Sequence, residues 1–223
     1  ETITGYYKLE KPEKEGITTV FENAFAISTE TFAKSVKLRN LAVGKKIVTT
    51  NDNNSKKEIK ISQGKSQKEF NINNLKSNIV TIRIGQGHGS GFFIGNNGYL
   101  LTNAHVVGDS KSVQIITSSG MEIEGQVIRK SKSRDVSLIK VPLKIANSLY
   151  LKFEIPDIAS DVYAAGTPIN EALKTTVTKG IISNIRVDNT SGLKFIQSDA
   201  SISPGNSGGP LFDKLGNVIG ISV

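Results

Sequence analysis

Apolar positions along the last two-thirds of this chain come in short runs, several with the alternation of a half-buried strand. The runs are Ile79–Ile84, Gly91–Ile94, Tyr99–Thr102, Ser112–Thr117, Met121–Ile128 and Asp135–Val141, then Asp161–Ala165, Thr175–Val187, Lys194–Gln197 and Asn217–Val223. Clusters of Gly, Asn, Asp and Ser separate them, as in Gly95-Asn96-Asn97-Gly98. Close spacing with turn signals between runs predicts an all-β barrel or sandwich rather than βαβ units. Six runs precede about residue 142 and the rest follow it, a division that fits two barrels packed together.

Residues 1–75 carry a different pattern and read as a separate region of mixed β/α character. Thr18–Ile27 is β-like and holds Phe21 and Phe25, and Ser28-Thr29-Glu30-Thr31-Phe32 opens a short helix with Phe32, Val36 and Arg39 on one face. Residues at about 51–69, rich in Asn, Lys, Ser and Gln, read as a polar loop or linker. No internal repeat and no recognisable chemistry appear in this region, which suits a regulatory or partner-binding module or an extension packed on the barrels.

Composition narrows the class. The chain has 223 residues, 37% hydrophobic and 22% charged, enough for one or two domains with real cores. It has no cysteine, which excludes disulfides, a thiol nucleophile and a cysteine metal site. With two histidines only, a zinc site would need carboxylates to complete it, and neither metal nor cofactor is expected. No apolar run approaches the ~18–20 residues of a membrane span. The start at Glu1-Thr2-Ile3, without Met or an apolar leader, reads as a mature or trimmed product.

The net charge of +8 is spread evenly. Thirteen basic and nine acidic residues precede residue 76 and fifteen and eleven follow, so each part carries +4. The one dense basic cluster is Arg129-Lys130-Ser131-Lys132-Ser133-Arg134, read as a solvated turn between strands. No aromatic residues interleave with it to stack bases, which disfavours a nucleic-acid partner.

Two hexapeptides carry chemistry: Thr-Asn-Ala-His-Val-Val at 102–107 and Gly-Asn-Ser-Gly-Gly-Pro at 205–210. A serine hydroxyl is a poor nucleophile near neutral pH and needs a positioned imidazole to take its proton, which pairs Ser207 with His105. Glycines beside the serine let backbone N–H groups converge on one point, the requirement of an oxyanion hole. A carboxylate should hold the other ring N–H of the base. Asp109 lies only four residues past His105, so the chain would have to fold back sharply. Asp199 could equally accept backbone N–H groups. Asp135 heads the strand-like Asp-Val-Ser-Leu-Ile-Lys-Val and is the favoured choice. His88, in the glycine run 85–91, reads as a solvent-facing loop residue. That run lacks the Gly-Lys-Ser/Thr ending of a phosphate loop.

The order His105, Asp135, Ser207 resembles that of chymotrypsin-like serine proteases. Gly-Ser-Gly-Phe-Phe-Ile (89–94), Gly-Tyr-Leu-Leu-Thr-Asn-Ala-His-Val-Val (98–107), Thr-Val-Thr-Lys-Gly-Ile-Ile-Ser (176–183) and Gln-Ser-Asp-Ala-Ser-Ile-Ser-Pro-Gly-Asn-Ser-Gly-Gly-Pro-Leu (197–211) are similar to the bacterial HtrA/DegP group. The resemblance covers roughly residues 76–223. It implies two packed six-stranded antiparallel β-barrels of chymotrypsin-like type, with His105 and Asp135 on the first and Ser207 on the second. It also implies peptide-bond hydrolysis through an acyl-enzyme, with His105 as base, Asp135 orienting it, Ser207 attacking, and the N–H groups of Gly205 and Ser207 binding the oxyanion.

Further expectations follow from that resemblance. Asn206 stands where many animal relatives carry Asp, so it cannot pair with a newly cut amino terminus. Activation by loop ordering, a partner or an oligomer is implied instead. Ser203 stands where the bacterial group usually has Asn. Ser201, Ile202 and Ser203 are expected near the specificity pocket, where the lack of an acidic residue disfavours Arg or Lys and favours small or medium aliphatic side chains. An extended or unfolded polypeptide is expected to add as a strand beside Ile221, Ser222 and Val223. The setting implied is bacterial and extracytoplasmic. The chain stops at Val223 within the strand after the nucleophile turn, which would leave the second barrel C-terminally incomplete with an unpaired edge. A catalytically silent binding or scaffolding module on the same fold is the competing expectation.

Overall fold

The first barrel grows directly from the alternating runs. Ile79–Ile84 (β4) buries its first four residues and pairs antiparallel with Gly87–Phe93 (β5) across a tight hairpin. Tyr99–Thr102 (β6), Ser112–Ile116 (β7), Glu122–Ser131 (β8) and Val136–Lys140 (β9) follow, and the ladder runs β4-β5-β6-β9-β8-β7 before β7 returns to β4. Closure removes both sheet edges. A single turn of helix, Ala104–Val107 (α2), follows β6 and carries His105. The computed structural model describes residues 24–28, 47–49, 59–61, 65–167, 175–189 and 193–223.

Asp161–Gly166 (β10), Thr176–Val187 (β11), Lys194–Ser198 (β12), Pro210–Asp213 (β13) and Val218–Ser222 (β14) supply five strands of the second barrel. The sixth comes from the other end of the chain. Ala24–Ser28 (β1) lies antiparallel between β12 and β14, pairing Ala26 with both Ile196 and Ser222, and the order β1-β12-β11-β10-β13-β14 is closed. Two six-stranded barrels are therefore present, as the sequence implies, but the expected open edge at β14 is filled. An unpaired row of peptide groups on β14 would be costly, and a segment from the first 75 residues satisfies it. Ile47–Thr49 (β2) and Ile59–Ile61 (β3) form a separate antiparallel pair. Ile72–Ser77 (α1), capped by the Asn71 side chain accepting from the Asn74 N–H at 3.1 Å, leads into β4.

Three apolar clusters explain why the barrels stay together. Val80, Ile82, Leu100, Ile115 and Ile139 fill the first barrel, and Val162, Ile182, Ile196 and Ile219 fill the second. A larger cluster, including Ile79, Phe92, Leu101, Leu138, Leu151, Phe212 and Ile221, lies between them. Phe92 and Phe212 are fully buried. Each such burial contributes roughly 1.5–3 kcal/mol, so the interface between the barrels is itself a core.

Several sequence expectations need correction. His88 is a strand residue rather than a solvent-facing loop one: it lies on β5, half-buried, with Nε2 3.1 Å from the Thr167 carbonyl oxygen. The basic cluster is only partly a turn, because Arg129, Lys130 and Ser131 extend β8 and pair with β9. The strand β13 has no counterpart among the apolar runs, since it holds only Leu211 and Phe212 between a proline and an aspartate. The helix expected from Ser28 through Phe32, Val36 and Arg39 lies outside the described residues after Ser28, which ends β1.

Candidate active site

The turn between β8 and β9 delivers Asp135, and its backbone there is unusual. Asp135 has φ +49, the left-handed region that Asp and Asn tolerate better than most side chains. The conformation aims its carboxylate back at α2. Oδ2 lies 2.6 Å from His105 Nδ1, and Oδ1 accepts the His105 backbone N–H at 2.8 Å. Asn103, at the N-cap of α2, makes no cap bond with its side chain; its Nδ2 instead donates to the Asp135 carbonyl at 3.0 Å. Helix, histidine and aspartate are thus tied at three points. A carboxylate so placed keeps the proton on Nδ1 and leaves Nε2 as the basic nitrogen.

The competing aspartates are engaged elsewhere. Asp109 is exposed and sits 2.8 Å from Lys132 Nζ and 3.1 Å from Lys130 Nζ. The hydrogen bonds from Lys132 and then Lys130 hold its carboxyl below the usual value. Asp199 Oδ1 accepts the Ile181 N–H at 2.6 Å, the backbone role that its position allowed.

Ser207 lies on the turn before β13, and glycine makes that turn possible. Gly205 and Gly208 have φ of +98 and +85. At Gly208 a Cβ would also overlap Ser90 O and Thr102 Oγ1, so the residue after Ser207 must lack a side chain. Three of its amides are engaged. Asn206 N–H donates to Ser203 O at 3.0 Å, Gly209 N–H to Asn206 O at 2.8 Å and Gly208 N–H to Ser222 O at 2.9 Å. By contrast, the N–H groups of Gly205 and Ser207 have no acceptor among the described residues. Both donors are therefore left available within one short turn, the first requirement of an oxyanion site.

The turn that carries Ser207 abuts the histidine segment. A Cβ on Gly208 would lie 3.1 Å from Asn103 N, and one on Gly89 would lie 3.1 Å from Ser207 O and 2.7 Å from Val106 Cγ2. No hydrogen bond joins His105 Nε2 to Ser207 Oγ among the described residues. Such bonds are often loose until substrate arrives. Asn206 is buried against Gly166, and its Oδ1 has no partner among the described residues.

The residues expected around the substrate are distributed unevenly. Ser201 is exposed and its carbonyl accepts from Thr178 Oγ1 at 2.7 Å; Ser203 is half-buried beneath the turn. Ile202 is buried among the second-barrel core and Ile221 in the cluster between barrels, so neither side chain faces an open pocket. Ser222 is fully buried. The expectation that a peptide adds beside Ile221–Val223 needs revision, because β14 is paired with β13 on one side and β1 on the other through Ile221. Ser222 pairs with Ala26 and exchanges backbone bonds with Gly208 and Gly209. Only Val223, beyond the end of β14, stands outside this ladder.

Sequence reasoning passed over Ser90. It is fully buried on β5, yet its backbone N–H donates to Ser207 O at 2.8 Å and its hydroxyl to Gly205 O at 2.7 Å. A serine in a glycine run carries no periodic signal that would have marked it.

Two six-stranded barrels, one carrying a histidine–aspartate pair and the other a serine on a glycine turn, follow the chymotrypsin-like plan. The chain belongs to the trypsin-like peptidase family: residues 89–221 match the model of the Trypsin-like peptidase domain. It is 40% identical over 148 residues to a Pseudomonas fulva protein named "Probable periplasmic serine endoprotease DegP-like", covering 63% of this chain and 29% of that protein. A Rhizobium meliloti protein of the same name is 39% identical over 142 residues, covering 61% and 28%. The chain therefore spans less than a third of the length of these relatives. Among solved structures, the serine endoprotease from Yersinia pestis aligns with TM-score 0.58 and 29% identity, covering 67% of this chain and 54% of that one. The Rv3671c protease in its inactive form aligns with TM-score 0.59 and 26% identity, covering 67% and 79%.

Proposed function

We propose that this chain is a serine endopeptidase that cuts polypeptides through an acyl-enzyme on Ser207. His105 Nε2 takes the hydroxyl proton as Oγ attacks the scissile carbonyl, and returns it to the leaving amine. Asp135 fixes the ring and stabilises the imidazolium that forms. The N–H groups of Gly205 and Ser207 bind the oxygen as it becomes negative. The observation that carries this reading is the two-point contact of Asp135 with His105, 2.6 Å at the ring and 2.8 Å at the backbone. Together the two contacts fix both the ring and the backbone that carries it.

The names of the relatives support an extracytoplasmic setting and protein substrates. Extended or unfolded segments suit a groove between barrels, with small or medium aliphatic side chains beside Ser201 and Ser203. Asn206 carries no charge to pair with a cut amino terminus, so activation falls to loop ordering, a partner or an oligomer. A second reading, a silent binding module, draws on the absence of a His105–Ser207 hydrogen bond among the described residues.

A fluorophosphonate probe and a casein assay separate the two. Ser207→Ala is expected to abolish labelling and turnover, since loss of a triad member leaves only ~10³–10⁴-fold acceleration over water. Wild-type rates in that variant would defeat the enzyme reading. Peptide binding by the wild-type chain without labelling would establish the module.

A further inference from the structure

Ser90 belongs to the first barrel, yet its bonds converge on the nucleophile turn of the second. Its hydroxyl is saturated. Thr167 N–H donates to Ser90 Oγ at 2.8 Å, and Thr167 Oγ1 lies 3.2 Å away. A hydroxyl has one proton and two lone pairs. The proton goes to Gly205 O at 2.7 Å, which leaves Oγ to accept from both Thr167 donors and makes Thr167 Oγ1 the donor of its pair. Ser90 is fully buried and Thr167 nearly so, so water does not compete for these positions.

That proton has a mechanical consequence. The Gly205–Asn206 peptide is held at both ends, its carbonyl by Ser90 and its N–H by Ser203 O at 3.0 Å. The Asn206–Ser207 peptide is held through its carbonyl by Gly209 N–H, and the Ser207 carbonyl by Ser90 N–H at 2.8 Å. The Pro204 carbonyl, on the other side of Gly205, has no donor among the described residues. The direction of the Gly205 N–H therefore depends on how firmly the peptide after it is anchored. That anchor is the Ser90 hydroxyl.

We propose that Ser90 is a positioning residue for the oxyanion site, aiming the Gly205 N–H by holding the Gly205 carbonyl. This rests on the serine-peptidase reading given above. Ser90 touches no substrate atom. Its backbone N–H and hydroxyl grip two successive turns of the nucleophile loop, so the first barrel fixes both the nucleophile and the donor beside it.

The test uses the full chain, with the rate of fluorophosphonate labelling at Ser207 and the kcat and KM for a fluorogenic peptide bearing an aliphatic residue before the cut. Ser90→Ala is expected to lower kcat and labelling rate roughly 10–100-fold, part of the loss seen when an oxyanion donor is removed outright, with KM within about twofold. Thr167→Val removes one of the two donors to Ser90 Oγ but keeps the Ser90–Gly205 bond, so it should lower kcat by less than Ser90→Ala does. Ser90→Cys, of similar bulk and with a weaker donor in an otherwise cysteine-free chain, should fall between wild type and Ala. It keeps the question answerable if the Ala variant does not fold. Ser90→Ala or Ser90→Cys labelling at the wild-type rate would overturn the role of Ser90 alone. Failure of the wild-type chain to label would overturn the peptidase reading, and this inference with it.

Discussion

Asp135→Asn makes a demanding test of the His105–Asp135 geometry, because the structure dictates how the amide must sit. Oδ1 accepts the His105 backbone N–H at 2.8 Å, so the amide oxygen must take that place. The NH2 group then faces Nδ1 across the 2.6 Å contact, and Nδ1 must accept. The ring proton moves to Nε2, where it blocks proton transfer from Ser207. The opposite orientation sets a donor against the backbone N–H and forfeits that bond, a penalty of about 1–3 kcal/mol. Losing the charge-assisted bond to the imidazolium removes roughly 1.5–3 kcal/mol more. At 1.36 kcal/mol per decade the two together lower kcat by about 10²–10⁴-fold. The assay is kcat on a fluorogenic peptide alongside ¹⁵N chemical shifts of the imidazole, which report the tautomer. Activity within fivefold of wild type, or an Nδ1–H tautomer in the Asn variant, would refute the reasoning.

Two further outcomes follow from contacts elsewhere. Asp109→Asn should leave kcat unchanged and shift the melting temperature little, because the Lys130–Asp109–Lys132 contact is exposed and screened by water. Its carboxyl is held below its usual value, so this contact contributes when pH is above that value and is lost as pH falls through the lowered one; a kcat loss on mutation would reopen the identity of the triad acid. Deleting residues 1–46 removes β1 and should expose the facing edges of β12 and β14. Faster amide exchange at Gly220–Ser222, aggregation and loss of turnover are expected, and unchanged exchange there would show that β1 does not seal the barrel.

The fold was most legible where a short apolar run is bounded by turn residues. Ile79–Ile84 and Tyr99–Thr102 have the observed bounds, since each buries one continuous set of side chains and ends at a turn. Pro210–Asp213 was not legible as a strand because only Leu211 and Phe212 are apolar between Pro210 and Asp213, too short a run to stand out after the glycine turn. The partner of β14 was not legible either, since strand pairing across some two hundred residues leaves no local trace. At the site, His105 and Asp135 stood out by residue type and spacing, and the structure brings them together. Ile202 and Ile221 were harder to place: an apolar residue beside a pocket and one in a core look alike in sequence, and both lie in cores. Ser90 was missed because its role depends on a hydroxyl reaching Gly205, far along the chain.

The seat of β1 gives biosynthesis a direction. Residues 24–28 leave the ribosome early, but neither neighbour they need exists until Lys194–Ser198 and Val218–Ser222 have been made. Through Ser222, the last-made of those strands also holds the Gly208 amide beside the nucleophile. A nascent chain consequently carries His105 and Asp135 on a finished barrel while Ser207 is still unframed, and the proposed site is assembled only when synthesis has passed all of it.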